Sequence, residues 1–332
     1  MVDSRPPDGS DITTVIATLG RAGDLEVCLD SLAAQTVTPA DVMVVHSGAD
    51  RETKTLCERD WASKGLRVRY FACPHQGAAL QRDFGIRHSD TMLILMCDDD
   101  VELGPGWIQS LLQVVANDSK VGAAMGRILN QPLLAPTALW RLYRRIVASP
   151  ERAAQPGAIV GALVPNGFSE DAVEPVACEW LGGGVTLLRR AAYLDVNGFA
   201  AHFRGSSPGE DLDLGYRLSR RWQVRYVPAA TCLHHASASG RERIGRHQYL
   251  SVRSRFAFCR LSAGMNGAGA MAHVGLWAAF QTLSELSQLR RGRLRPDFLD
   301  ACLGRVRGMW SCVGWVPSDE RFPEWHDTHA SV

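Results

Sequence analysis

The run Thr91-Met-Leu-Ile-Leu-Met-Cys97 ends in three consecutive aspartates, Asp98, Asp99 and Asp100. A short, continuous apolar run bounded by charge predicts a strand buried on both faces, as in a parallel sheet. Open α/β sheets bind ligands at the carboxyl ends of their strands, which places these aspartates at an expected site. Three crowded carboxylates repel one another, and folding does not require them. A hard divalent cation, Mg²⁺ or Mn²⁺, relieves that repulsion and prefers oxygen ligands. The competing reading is an acidic turn before a helix that opens near Pro105, with one aspartate capping it. That reading accounts for one aspartate and leaves two unexplained.

The flanking sequence alternates strand and helix. Ile12–Thr18 is a β-branched run, and Leu25, Cys28, Leu29 and Leu32 then follow helical spacing with Asp24 as the expected N-cap. Residues 42–46 and 67–72 read as strands. Trp107, Ile108, Leu111, Leu112 and Val115 share a helix face, and Val121–Ile128 reads as a further strand. This order predicts an α/β fold with a mostly parallel, doubly wound sheet flanked by helices. Residues 130–178 look irregular, with a candidate helix over 140–145. Patterning returns with an apolar strand at 185–188, helical spacing over 210–221, and a strand over 223–227 before Pro228. Residues 1–10 are polar and rich in proline and glycine and are expected to form a disordered leader.

Composition narrows the function classes. The 332 residues carry a net charge of +1, so no global field points to nucleic acid. The charge is uneven, because residues 241–295 hold ten arginines against two glutamates, a local excess of +8. Few aromatics interleave with these arginines, so no nucleic-acid partner is expected. Residues 261–284 contain no acid, lysine or arginine. Leu276, Phe280 and Leu283 suggest one apolar face continuing to Leu286. The stretch is read either as a helix packed on the rest of the protein or as one lying on an anionic membrane surface, with peripheral contact through 241–295. Its polar residues and glycines argue against a span. Nine scattered cysteines without a C-x-x-C pair are expected to be reduced, and the protein cytoplasmic.

A second constellation, Gly209-Glu210-Asp211-Leu-Asp213, opens the helix that follows the loop at 205–209. Acidic residues there satisfy orphan N–H groups and meet the helix dipole. Two adjacent carboxylates at the tip of a glycine-flexible loop also suit a general base that takes a hydroxyl proton.

Taken in order over residues 12–235, these pieces resemble the family-2 glycosyltransferases, which have a GT-A fold. Val15-Ile-Ala-Thr-Leu-Gly-Arg21 resembles their first strand and turn, and Val44-Val-His-Ser-Gly-Ala-Asp50 their second strand and nucleotide loop. Gly77-Ala-Ala-Leu-Gln-Arg82 resembles the segment whose arginine faces the nucleotide, Asp98–Asp100 the D-x-D motif, and Glu210-Asp211 the base motif. Gly198-Phe199 is similar to the acceptor-side loop, and the segment ending in His234 to the last strand.

The resemblance implies metal-dependent, inverting transfer from a nucleoside-diphosphate sugar to a glycan or glycolipid hydroxyl. It implies Asp98, Asp100 and His234 as the metal side, His234 being either a ligand or a strand cap. Ala17, Thr18, Arg21, His46, Asp50, Arg82, Asp98 and Asp99 are implied at the donor. Trp180, Gly183 and Glu210 are implied at the acceptor, and Asp211 as base with Glu210 beside it. Trp180 is open between a sugar platform and an ordinary half-buried tryptophan.

The implied organisation is a GT-A domain over 11–240, divided into a nucleotide-sugar half at 11–128 and an acceptor half at 129–240. A basic and apolar helical extension follows over 241–332. The expected location is cytoplasmic, and the basic and apolar composition of the extension leaves a peripheral position on the cytoplasmic face of the membrane open. His46 stands where the family has a base-reading aspartate, which leaves the donor base open. The rival readings are a sugar-1-phosphate nucleotidyltransferase, for which the phosphate-cradling loop is thin, and a sugar-nucleotide-binding scaffold without catalysis.

Overall fold

The computed structural model describes residues 5–48, 50–131, 137–203, 208–236, 243–288 and 296–318. The amino-terminal half winds through β1 (Ile12–Thr18), α1 (Ala22–Ala33), β2 (Asp41–Ser47), α2 (Arg51–Cys57), β3 (Val68–Cys73), α3 (Ala78–Arg87) and β4 (Leu93–Asp98). β5 (Val101–Leu103), α4 (Trp107–Asn117) and β6 (Val121–Ile128) follow. The segment expected to be irregular contains α5 (Ala138–Val147), α6 (Pro150–Ala154), a hairpin of β7 (Ile159–Val160) and β8 (Val164–Pro165), and β9 (Val176–Ala177). Then come β10 (Val185–Arg189), α7 (Arg190–Asp195), α8 (Glu210–Ser219), β11 (Gln223–His234), α9 (Ile244–Leu261), α10 (Gly267–Ser287) and α11 (Phe298–Cys312).

The main sheet runs β3-β2-β1-β4-β10-β6-β11-β5, with β9 alongside β11. β1 pairs parallel with β2 and β4, and β6 parallel with β11, whereas β10 is antiparallel to both β4 and β6. The double burial expected of β4 follows from this central position. Leu93, Leu95 and Cys97 face one core with α1 and α4, while Ile94 and Met96 face the other with Phe84, Tyr193 and Leu214. Each large apolar side chain fully buried there contributes about 1.5–3 kcal/mol.

Several local expectations change. Asp24 lies inside the first turn of α1, whose N-cap position is Arg21. The aspartates do not cap a helix, because β5 intervenes and α4 starts after Gly106. β11 does not stop before Pro228: a register irregularity between Tyr226 and Thr231 absorbs the proline, and the strand continues to His234. The described part of the leader is ordered, with Gly9–Asp11 a capped 3₁₀ turn and Arg5 bonded to Asp11 at 2.8 Å. Residues 1–4, the loop at 204–207 and the arginines at 241, 290, 291, 293 and 295 lie outside the described residues.

α9, α10 and α11 form a third core with α5 and the β7–β8 hairpin, built on Tyr143, Leu163, Phe258, Val274, Trp277 and Phe280. α10 is a packed helix whose inner face is Ala270, Val274, Trp277 and Phe280, while Leu283 and Leu286 are exposed. No described helix is long and apolar enough to cross a membrane. None of the nine cysteines is in a disulfide.

Candidate active site

The sheet topology brings distant segments to one edge. β1, β2 and β4 are parallel, so Ala17 stands beside Asp98 and Thr18 beside His46. The antiparallel β10 starts where β4 ends, with Val185 opposite Cys97, and delivers the glycines at 182–184 to the same edge. β11 is parallel to β6 and ends there too, with His234 opposite Val101. A cavity of about 340 Å³ opens at this edge, lined among others by Asp98, Trp180, Gly183, Asp211 and His234.

Asp98, Asp100 and His234 each present a ligand atom, all within 4.8 Å of one another. His234 Nε2 is 3.0 Å from Asp100 Oδ1, and the Gln131 side-chain amide meets its other ring nitrogen, Nδ1, at 2.7 Å. Asn130 clamps the His234 backbone from both sides, donating to its carbonyl at 2.9 Å and accepting from its N–H at 3.0 Å. Two carboxylates and one imidazole, pre-positioned by strand ends, fit a divalent cation such as Mg²⁺ or Mn²⁺.

Asp99 points away from this group. Its carboxylate accepts from the Thr18 hydroxyl at 2.6 Å and from Arg21 Nη1 at 3.0 Å, and it is buried. Burial, first, and the flanking Asp98 and Asp100 charges push its carboxyl up to about 6. Thr18, Arg21 and Asp99 therefore tie β1 to β4 from inside, and Arg21 also reaches Asp100 at 3.3 Å.

Across the cavity lies the acidic helix start. Gly209 holds a left-handed φ of 98°, which turns the chain into α8. Asp211 accepts N–H bonds from Gly183 at 3.0 Å and Leu212 at 2.8 Å, one on each oxygen. Burial raises its carboxyl above the usual range. Burial, followed by the charge on Asp211, pushes Glu210 up to about 7. Arg82, almost fully buried on α3, bridges the two sides: Nη2 bonds Asp98, and Nη1 is 3.2 Å from Glu210 Oε1.

Three other expected residues make the following contacts. His46 is buried, with Nε2 accepting the Gly20 N–H at 3.1 Å. That bond makes the neutral Nδ1–H tautomer the one present. Asp50 caps α2, accepting from the Thr53 N–H at 2.8 Å. Trp180 lies partly buried against Phe168, and its indole N–H bonds the Asn166 carbonyl at 3.1 Å. Sequence reasoning missed Gly184, where a Cβ would lie 2.1 Å from Asp98 Oδ2. The third glycine of Trp180-Leu-Gly-Gly-Gly184 was its available signal. It also missed Asn130 and Gln131, polar residues in a segment without periodicity.

Residues 13–152 match the family model for glycosyl transferase family 2. An N-acetylglucosaminyl-diphospho-decaprenol L-rhamnosyltransferase of Mycobacterium tuberculosis is 28% identical over 254 residues, covering 70% of this chain and 79% of the relative. Among solved structures, the mannosyltransferase PcManGT from Pyrobaculum calidifontis, in complex with GDP-Man and Mn²⁺, superposes with a TM-score of 0.56 at 13% identity. It covers 93% of this chain and 87% of its own. GalNAc-T7 with UDP, GalNAc and Mn²⁺ also gives 0.56, at 14% identity over 77% of this chain, which spans 48% of that protein. The ordered strand-end aspartates and the acidic helix start agree with these likenesses: residues 13–152 are similar to glycosyl transferase family 2, and the chain has the GT-A fold.

Proposed function

We propose that this chain transfers a sugar, with inversion, from a nucleoside-diphosphate sugar to a hydroxyl of a lipid-linked glycan. The observation that carries the reading is that Asp98 and Asp211, more than a hundred residues apart in sequence, face one cavity at the carboxyl edge of the sheet. The mycobacterial relative, by its name, acts on a sugar linked to decaprenyl diphosphate. A lipid-diphosphate acceptor and a rhamnosyl donor are accordingly the first pair to test.

Asp98, Asp100 and His234 would hold Mg²⁺ or Mn²⁺. Bound there, the ion supplies positive charge to the leaving diphosphate. The chain's own residues do the rest. Asp211 takes the proton of the acceptor hydroxyl as its oxygen bonds to the anomeric carbon and the bond from that carbon to the diphosphate oxygen breaks. Two backbone N–H groups fix the Asp211 carboxylate in place, and its raised pKa makes it a stronger base. Glu210, held by Arg82, keeps the start of α8 against the cavity. Trp180 and Gly183 line the acceptor side, and Ala17, Thr18 and His46 border the donor side through their strand ends.

Calorimetry with UDP, dTDP and GDP, with and without Mn²⁺, tests the donor site. Metal-dependent binding of one diphosphate is expected, and failure of all three to bind would overturn the reading. For the chemistry, Asp211→Asn should lower kcat ~10²–10⁴-fold while leaving diphosphate affinity unchanged. Unaltered turnover in that variant would remove Asp211 from the role of base.

A further inference from the structure

We infer that the outer face formed by α10 and α11 is where an anionic lipid bilayer docks. The inference deepens the proposed transfer to a lipid-linked acceptor and rests on that reading for its purpose, but its evidence is separate.

α11 packs inward through Ala301, Gly304, Arg305, Gly308 and Cys312. Gly304 lies so close to Gly245 of α9 that a Cβ on it would be 2.1 Å from the Gly245 carbonyl oxygen. Small residues thus satisfy the inner face. The outer face repeats Leu299, Leu303, Val306, Trp310 and Val313 at steps of four and three residues, all exposed, with Leu299 at 73% and Trp310 at 74%. The same face opens a groove of about 680 Å³ against α10, lined by Ala279, Leu283, Val306, Met309 and Trp310. Contiguous apolar surface of this extent on a folded domain marks a partner. The groove's volume falls within the range that takes a drug-sized apolar group, so it admits a length of acyl chain.

Charge selects the partner. The acids on these helices are engaged: Glu285 is bonded by Arg305 at 2.7 Å, and Asp300 accepts the Gly245 N–H at 2.9 Å. Arg307 on α11 and Arg243 and Arg246 at the start of α9 are exposed close to the α9–α11 crossing. A second copy docked across a two-fold axis would bring these arginines against their own equivalents. An anionic headgroup layer complements them while its acyl region receives the leucines and Trp310. The site expected at 241–295 therefore shifts: α11 supplies the apolar face, and the inner face of α10 serves the core.

Vesicle co-sedimentation of the full chain, without donor or acceptor, tests this. Vesicles of phosphatidylcholine with phosphatidylglycerol should pellet the protein, pure phosphatidylcholine should not, and added salt should release it. Val306→Glu should weaken binding about tenfold or more, and Arg307→Glu severalfold. Both substitutions are exposed, so unchanged circular dichroism and melting are expected. The inference is overturned by equal pelleting of Val306→Glu, by equal binding to neutral vesicles, or by no pelleting at all. It is overturned equally by a dimer that Val306→Glu dissociates without any vesicle binding. Loss of the transferase reading would appear elsewhere, as absent turnover with detergent-dispersed acceptor.

Discussion

Gly184 shows how tightly the site is built at the level of single residues. Any side chain there must displace the Asp98 carboxylate, because a Cβ would lie 2.1 Å from its Oδ2. Gly184→Ala should therefore lower metal-dependent diphosphate affinity ~10–100-fold with the fold intact, as calorimetry and circular dichroism would show. Glu210 offers a pH handle. Its carboxyl rises from 4.5 to about 7, so the folded state holds that proton more tightly than the unfolded chain does. The stabilisation is complete below pH 4.5 and is lost as pH climbs through about 7. Melting of metal-free protein should accordingly fall over this window in wild type relative to Glu210→Gln, which mimics the protonated form. Parallel curves for the two proteins would contradict it. The aspartates and the Glu-Asp pair were legible because their types and spacing carry chemistry. Asn130 and Gln131 were not, since they act through a backbone clamp and a ring nitrogen that only the end of β11 brings near. Asp50 and Asp99 read as donor groups in sequence; in the structure Asp50 caps α2 through Oδ2, and Asp99 accepts from Thr18 and Arg21.

Among the elements, the β7–β8 hairpin links the carboxy-terminal helices to the acidic loop. Arg255 of α9 donates to the carbonyls of Ala162 at 2.5 Å and Leu163 at 2.6 Å, and its guanidinium lies over Trp277. Leu163 holds a φ of +56°, unusual for a branched side chain, and packs beside Gly209, the N-cap of α8. Ser262 adds a bond to Asp213 in α8 at 2.5 Å. Arg255→Leu strands two carbonyls, so a loss of about 2–3 kcal/mol is expected in denaturant melts. A fall in kcat should accompany it, because the support under Gly209 goes with it. Arg255→Lys should recover part of both. The main strands were readable from apolar runs to within a residue or two at several ends. The hairpin was invisible, because strands of two residues have no periodicity to detect. The extension of β11 past Pro228 was hidden by a proline that normally ends a strand and here sits in an irregularity.

For the molecule as a whole, the carboxy-terminal helices are part of the fold. Trp180 and, from α8, Leu212 and Tyr216 pack against their core. Truncation after Ser262 should abolish cooperative melting, and a truncated protein that melts like the full chain would contradict this. The strand order also sets a timetable for synthesis. β4 and β6 are separated in the sheet by β10, which lies more than fifty residues beyond β6 in the chain. Until residues 185–189 leave the ribosome, β4 presents an open, apolar strand edge, and β6 lacks both of its sheet neighbours, β10 and β11. The first four strands can assemble from local βαβ units before then. A nascent chain that carries β4 but not yet β10 therefore leaves the apolar edge of β4 open, the condition that favours edge-to-edge aggregation.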